Sequence, residues 1–560
     1  MNTYIKQNSM HGTFLNRLHT YDINPKFSKR AAYFSMEFAV DQSLKIYSGG
    51  LGFLAGSHLR SAYDLKQNLI GIGILWKYGY YDQVWNQDHY MEAKFVKKEY
   101  SFLEDTGIIF PVTIHDSKVN VKAYFLPPDV FGTAPLFLLS TDIPENDYLS
   151  RTITHKLYDS NLAAKIAQSI VLGVGGAKLL DIIGSEPEVY HMNEGHALPL
   201  VFYLYSKFRS EEAVRNRMVF TTHTPELAGN EEHSLELLEE MSFLHCIPLD
   251  EVKRIAKISG DTLNYTLTAL RLSKIANGVS EIHSKVSQSM WQGNEGVCPI
   301  IHITNAQNKK FWKDEVLEDA LNTNNDELLV RRKKELKQEL FKEVADQTGK
   351  IFDPNVLTLV WARRFAGYKR AQLLLHNYEK FLGLISRKHE PIQVIWAGKP
   401  YPEDKLGIDI FNYINHTVEQ FDRCAILTGH EMKLSAMLKK GSDVWLNNPI
   451  PPREASGTSG MTASMNASIN FSIPDGWFPE FAKHGVNSFI INSKPTDSWV
   501  QRDDQDNKEL LRVLEEEIIP TYYRDPNRWT TIMKQAMCDV YPQFDSDRMA
   551  TEYYQKLYQA

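Results

Sequence analysis

A chain of 560 residues is longer than one hydrophobic core supports, so at least two domains are expected. With 43% hydrophobic and 23% charged residues the composition is that of an ordinary globular protein, which excludes fibrous and disordered classes. A net charge of −7 at pH 7 argues against a polyanion-binding surface, so no nucleic-acid partner is expected, although a local basic cluster could still hold phosphate.

The four cysteines, Cys246, Cys298, Cys424 and Cys538, are scattered and show neither a C-x-x-C pair nor a Cys/His ligand spacing. No metal is expected, and unclustered thiols fit a reducing compartment. The first eight residues, Met-Asn-Thr-Tyr-Ile-Lys-Gln-Asn, lack the apolar segment of a signal peptide, and no apolar run reaches 18 residues. The expectation is a cytoplasmic protein with no membrane partner. Aromatic residues reach 11%. They fill large cores, and they also suit sugars, whose C–H faces pack on rings.

In chain order, residues 69–75 (Leu-Ile-Gly-Ile-Gly-Ile-Leu) are a predicted buried strand, with further strands at 108–114 and 121–126. Residues 161–180 have a helical pattern, and 218–222 form a strand ending at polar residues. Such alternation implies an α/β protein with a largely parallel sheet. Residues 315–344, dense in Glu, Lys and Arg at helical spacing, read as a solvated helical connector. A second doubly wound series opens at 356–361 and continues with strands at 392–396, 424–427, 443–446 and 489–491. Residues 510–558 are mostly helical and could pack back across the first domain. The expected domains are 1–305, Rossmann-like and sugar-binding; 306–350, the connector; and 351–560, Rossmann-like, binding phosphate or cofactor and ending in helices.

Ligands of such folds bind at the carboxyl ends of the strands, where the motifs fall. Tyr47-Ser48-Gly49-Gly50-Leu51-Gly52 places three glycines ahead of a predicted helix at 54–65; it reads either as a tight turn or as amides presented to an anion. The strand 356–361 delivers Arg363, Arg364, Lys369 and Arg370, and cations following a buried strand favour phosphate binding over a solvated face. Glu454-Ala455-Ser456-Gly457-Thr458-Ser459-Gly460 precedes a small-residue helix predicted at 461–467. Its amides could bind sugar hydroxyls or a phosphate, and it could equally be a helix cap. His223 ends a strand, and His191 and His196 follow the short apolar pair Val189-Tyr190; core and functional roles are evenly balanced for these histidines.

Together these segments resemble the α-glucan phosphorylases of glycogen, starch and maltodextrin, especially the short bacterial and archaeal type. The likeness runs nearly end to end through Tyr33-Phe34-Ser35-Met36-Glu37-Phe38, 47–54, Gly79-Tyr80-Tyr81, 191–197, 220–225, 286–291, 362–370, 443–447 and 454–460. It implies a GT-B fold, two Rossmann-like α/β domains facing across a cleft. It also implies transfer of glucose, with retention of configuration, between the end of an α-1,4-glucan or maltooligosaccharide and phosphate or a sugar phosphate. Carried over by position, Arg364, Lys369 and the Gly50 amide would hold the reacting phosphate. Asn305, His223, Glu454, Ala455, Ser456 and Gly457 would bind the transferred glucose, with Tyr368 beside it. Arg363, Thr458 and Ser459 would contact the 5′-phosphate of pyridoxal phosphate, whose phosphate, not its aldehyde, takes part in the family's reaction. A homodimer is a common family state.

Three positions depart from the family pattern. Thr462 stands where the family has the lysine that forms an imine with pyridoxal phosphate, and threonine has no amine to form one. The next lysine, Lys483, lies beyond another strand-like segment. The stretch Asn305-Ala306-Gln307-Asn308 replaces Asn-Gly-Val-His, and Asn447-Asn448-Pro449-Ile450 precedes the key loop. A cofactor held without a covalent bond satisfies these departures. So does an ADP- or UDP-glucose donor whose ribose meets the Thr462 hydroxyl, and so does a silent glucan-binding protein.

Overall fold

The computed structural model describes residues 17–493 and 498–560; the N-terminal octapeptide read for targeting signals lies outside the described residues. The chain forms two compact units. The first runs to Tyr80, resumes over Phe95–Asn305 and closes with Ser546–Ala560; the second comprises Tyr81–Lys94 and Ala306–Asp545.

Among the described residues, the first unit is built on one sheet whose strands follow the order Ile300–His302, Ile275–Gly278, Met218–Thr221, Val189–Asn193, Ala31–Phe34, Leu69–Ile74, Leu136–Ser140, Ser117–Leu126 and Glu104–Ile114. The strands through Leu136–Ser140 are parallel, and the last two are antiparallel. The patterns follow from burial. Ala31–Phe34, Leu69–Ile74 and Leu136–Ser140 are buried at every residue, as parallel strands covered on both faces must be. The last two strands instead alternate between buried and exposed residues. Their two-residue turn, His115-Asp116, has φ of 49° and 53°, the twist that a tight hairpin needs.

The helical run Leu162–Ile182 is long and apolar enough to cross a membrane by length and composition, which the absence of an 18-residue apolar run did not foresee. It is mostly buried, packing on the helix Pro199–Phe208 and the sheet, so it serves as a core helix.

The second unit carries parallel strands in the order Cys424–Leu427, Ile392–Ala397, Leu357–Ala362, Val444–Asn447, Ile469–Ser472 and Ser488–Ile490. In chain order this is 3-2-1-4-5-6, the Rossmann arrangement. Its topological switch point lies between Leu357–Ala362 and Val444–Asn447.

The structure corrects the expected domain limits in three places. Residues 306–350 are not a solvated connector. The helix Asp326–Thr348 buries Leu329, Leu336, Leu340 and Val344, a stripe at seven-, four- and four-residue spacing, and packs on the helix Met432–Gly441. Two of its lysines are buried too. Lys337 Nζ lies 2.5 Å from Asp443 Oδ2, and Lys333 Nζ donates to Lys440 O, Asn466 O and Ser468 Oγ at 2.8–2.9 Å. The abundance of charge on the outer face hid this apolar stripe.

Residues 81–94 also leave the first domain. Their hairpin, Asp82–Trp85 with Met91–Lys94, is fastened to the second unit by Tyr81 OH to Pro400 O (2.8 Å), Gln83 Nε2 to Gly398 O (3.1 Å) and Met91 N to Asn412 Oδ1 (2.9 Å). Finally, only the end of the helical tail joins the first unit. There Ser546 Oγ lies 2.6 Å from Ser61 Oγ, and Gln67 Nε2 donates to Ala550 O at 3.1 Å.

Replacing Lys337 with Met leaves the Asp443 carboxylate buried without its counter-charge, and is expected to destabilise the second unit by about 3–5 kcal/mol. Urea denaturation reads this directly; a loss below about 1 kcal/mol would mean that the pair contributes no more than a surface one.

Candidate active site

The second unit gathers its polar groups at the switch point. Arg363 follows Leu357–Ala362 and extends the sheet by one bond, donating its N–H to Ala397 O at 3.1 Å. The neighbouring exit approaches so closely that a Cβ on Gly398 (φ 148°) would lie 1.7 Å from Arg363 O, so only glycine fits there. The Arg363 guanidinium is buried. It pairs with Glu454 Oε2 at 2.9 Å and donates to Asn447 Oδ1, at the end of Val444–Asn447.

Lys369 sits on the short turn Gly367–Lys369 and donates to the two Glu454 oxygens at 3.2 and 3.3 Å. One carboxylate therefore joins the exits of two strands. Burial, then repulsion from Arg363, lowers the Lys369 amine to about 7 despite the attraction of Glu454. Burial would raise the Glu454 carboxyl, but Arg363 and Lys369 outweigh it and hold the group below the usual range.

Behind Glu454 lies a second carboxyl. Asp475 accepts from Glu454 N at 2.9 Å and from Gly476 N at 2.8 Å, while Trp477 N donates to Ser456 O at 3.0 Å. Burial, with the Glu454 charge adding to it, raises Asp475 to about 7. The loop is tightly folded. Gly457 has φ of 82°, and a Cβ there would lie 3.1 Å from Glu454 Cγ and 3.3 Å from the Arg363 guanidinium. Ala455, Gly457, Thr458 and Ser459 are partly exposed, whereas Ser456 is buried with its Oγ lacking a hydrogen-bond partner.

The predicted residues of this unit are thus not equivalent. Arg364 is exposed, and Tyr368 is half-buried with its hydroxyl titration raised by burial and by Glu454. Arg370, part of the same basic run, turns inward. Its guanidinium bonds Asn448 O, Pro449 O, Asp503 Oδ1 and Asp506 Oδ2 at 2.7–3.1 Å, bracing the loop. Thr462 is fully buried on the helix Ser459–Ser464, and its hydroxyl donates to Ser459 O at 3.0 Å.

In the first unit, the Gly-rich turn opens the helix Gly50–Asp64, but its leading amides are already used. The buried Glu37 carboxylate accepts from Ser48 N (2.6 Å), Ser48 Oγ (2.9 Å), Gly49 N (3.2 Å) and the Tyr158 hydroxyl, leaving Gly50 at the exposed edge. His223 Nε2 lies 2.7 Å from Asn193 Oδ1, and its N–H donates to Glu194 Oε2 at 2.7 Å. Glu194 sits in the left-handed region at φ 72°, backbone strain of the kind that functional sites store. Burial lowers His223 to about 3, so the ring is neutral. Asn305 is buried with an Oδ1 that has no hydrogen-bond partner. His191, in contrast, is a satisfied core residue, fully buried between the Tyr558 hydroxyl (2.8 Å) and Thr221 Oγ1 (2.7 Å).

Sequence reasoning missed Glu37, Glu194 and Asp475 as site-building carboxylates. Pro474-Asp475-Gly476 has the signature of a turn, and only the long-range bond to Glu454 reveals its role.

Comparison with known proteins decides the family. Residues 265–491 match the carbohydrate phosphorylase model. An uncharacterized protein of Methanocaldococcus jannaschii is 49% identical, covering 95% of this chain and all of that one. Maltodextrin phosphorylase of Thermococcus litoralis is 33% identical over 95% of this chain and 71% of its own. The chain belongs to the carbohydrate phosphorylase family. Glycogen phosphorylase of Aquifex aeolicus is 31% identical over 98% and 89% of the two chains. This is a family of glycosyltransferases with the GT-B fold, to which the two parallel α/β units conform.

Phosphorylases normally use pyridoxal phosphate. Position 462 does not fit its covalent attachment, because the side chain has no amine and its hydroxyl is committed to Ser459 O. Buried polar atoms without hydrogen-bond partners do remain in this unit, at Ser456 Oγ, Ser435 Oγ and His430 Nε2.

Asp475 gives a pH-dependent readout of the site. Its carboxyl, facing Glu454 and Arg363, titrates near 7 in the folded protein against an ordinary 3.8. A raised acid favours the folded state fully below its unfolded value and loses that contribution as pH rises through the folded one. The melting temperature of the wild type relative to Asp475→Asn should therefore fall between pH 4 and 7 and level off above. A difference independent of pH would show that Asp475 titrates normally.

Proposed function

We propose that the protein is a retaining glucosyltransferase of the α-glucan phosphorylase type, moving glucose between the end of an α-1,4-glucan and phosphate. The observation that carries this reading is the buried Glu454 carboxylate held between Arg363 and Lys369 at the switch point. A hexose hydroxyl can donate to Glu454, and a phosphoryl group can take the place of Glu454 as partner of the Lys369 ammonium. The two ligands then meet where the strands end. In the second unit Arg364 adds a second cation for the phosphate, and Ala455, Ser456 and Gly457 serve the sugar, with Tyr368 beside it. In the first unit the family resemblance assigns the Gly50 amide to phosphate and His223 and Asn305 to sugar.

The chemistry is electrostatic. An oxocarbenium-like centre and a departing phosphate are stabilised by charges already fixed in place, so little reorganisation is needed as they form. Neutral His223, fixed by Asn193 and Glu194, acts as a hydrogen-bonding group towards the sugar and not as a cation that would oppose the developing positive charge. Pyridoxal phosphate, if bound, would supply a second phosphate group for acid–base chemistry. Arg363, Thr458 and Ser459 are the residues to hold that phosphate. The alternative of a nucleotide-sugar donor, which also keeps Arg364 and Lys369 and does without the lysine, is less supported at Thr462, whose hydroxyl is buried and donates to Ser459 O.

Formation of glucose 1-phosphate from maltodextrin and phosphate, with and without added pyridoxal phosphate, is the direct test; turnover of ADP- or UDP-glucose instead would overturn the reading. Lys369→Ala should lower kcat/KM by about 100- to 1,000-fold. Because the amine titrates near 7 and phosphate needs its charged form, kcat/KM for phosphate should decline above that pH in the wild type. Lys369→Arg, always charged, should remove the decline.

A further inference from the structure

Exposed apolar side chains are ordinary when scattered singly, so a contiguous group of them is informative. In the second unit such a group lies where the hairpin Asp82–Trp85 with Met91–Lys94 packs on the helix Lys405–Val418. Met91 N donates to Asn412 Oδ1 (2.9 Å) and Asn415 Nδ2 to His89 O (3.1 Å), which fixes the two elements together. Trp85 tilts against Phe411 of the helix with 5.5 Å between ring centres, and the exposed His89 stacks on Trp85 at 5.9 Å and 21°. Tyr90 leans on His416 at 4.6 Å and is still 48% exposed.

The helix continues this surface. It buries Ile410, Phe411, Ile414 and Val418 and carries Leu406, Asp409, Tyr413 and His416 along its outer side, at three-, four- and three-residue spacing. Tyr413 is 52% exposed and Leu406 59%. The stripe begins at the reaction loop: a Cβ on Gly367 would lie 3.1 Å from Leu406 Cδ2, and Gly367 opens the turn that carries Lys369. From Leu406 to His416 the helix rises about 15 Å.

We propose that this aromatic face is a second polymer-binding site, holding a length of α-1,4-glucan outside the reaction centre. Trp85, His89, Tyr90, Tyr413 and His416 each combine an apolar ring face with a polar edge. Sugar rings present the complementary pattern, a C–H face rimmed by hydroxyls. Asp409, in the same stripe, and Asp88, at the hairpin tip, supply acceptors for those hydroxyls. A row of shallow contacts suits a repeating chain, which gains affinity through their number and brings its ends to Lys369 and Glu454 at raised effective concentration. The glucosyltransferase reading enters only in the choice of polymer.

Native electrophoresis of the full chain through gels containing glycogen tests this. The wild type should be retarded, and the double variant Tyr90→Ala, Tyr413→Ala should need at least about tenfold more glycogen for the same retardation. Tyr413→Ser alone, at a mostly exposed position, should weaken binding in the same direction without risk to the fold, whereas Tyr413→Phe, which keeps the ring, should stay near the wild type. No retardation of the wild type, or equal retardation of the double variant, would overturn the proposal. So would retardation by hydroxyethyl cellulose as strong as by glycogen, which marks an unselective surface. A shift from dimer to monomer in the double variant on size exclusion would overturn it too, assigning the face to contact between copies. Retardation does not depend on turnover. Glucose 1-phosphate formation with unchanged retardation of the double variant would refute this surface and leave the proposed reaction standing; retardation lost in the double variant, with no glucose 1-phosphate formed by the wild type, would do the reverse.

Discussion

The second unit depends on one buried carboxylate. Glu454, on the loop after Val444–Asn447, is joined to the exit of Leu357–Ala362 through Arg363 and Lys369, and Arg363 also donates to Asn447. Taking these charges out of water costs several kcal/mol each, and their mutual attraction returns that cost only with good geometry. For stability alone, apolar residues of similar volume would serve as well. What the arrangement gains is a set of positive charges already desolvated, whose internal partner a ligand can replace, and such preorganisation is the requirement for stabilising charge in a transition state. On the proposed function, the cluster is explained by its use in binding more than by stability.

The same sheet holds two further buried ion pairs with the opposite character. Lys337–Asp443 and Arg370–Asp506 are also bound by backbone groups. Asp443 also accepts from Thr358 N, and Arg370 also donates to Asn448 O and Pro449 O. With backbone groups bound to one or both partners of each pair, these charges are held in place as scaffold. They fix where Val444–Asn447 starts and how the loop after it departs, and thereby aim Glu454. The contrast between backbone-bound and exchangeable pairs separates scaffold from site more clearly than charge or burial does.

Much of the architecture was legible in the sequence because parallel strands leave strong marks. Runs such as Leu-Ile-Gly-Ile-Gly-Ile and Val-Ile-Trp-Ala are apolar throughout, since both faces of the sheet are covered. The misreadings have physical causes. The helix Asp326–Thr348 carries so much outward charge that its buried stripe is masked, and its buried lysines, held by carbonyl oxygens, look like surface ones. The hairpin at residues 82–94 belongs to the second unit through side chain-to-backbone bonds that no local pattern announces. At the Gly-rich turn, the sequence revealed the permissive backbone but not that Glu37, eleven residues before Ser48, already supplies the anion for two of its amides. Cation, glycine and histidine motifs could be read; the carboxylates that position them could not, because an acidic residue at a strand end looks the same whether it serves a turn or a site.

Position 462 shows how a residue that departs from a family pattern is absorbed into the fold. Thr462 lies buried on the helix Ser459–Ser464 and gives its hydroxyl to Ser459 O, so it is part of the core. The residues around it are held differently: Gly457 by its φ of 82° and by the Glu454 and Arg363 atoms that leave no room for a Cβ, and Arg363 by Glu454 and Asn447. A side chain whose contacts lie on its own helix can therefore change more easily than glycines and cations whose places are set by backbone geometry and by partners on several strands.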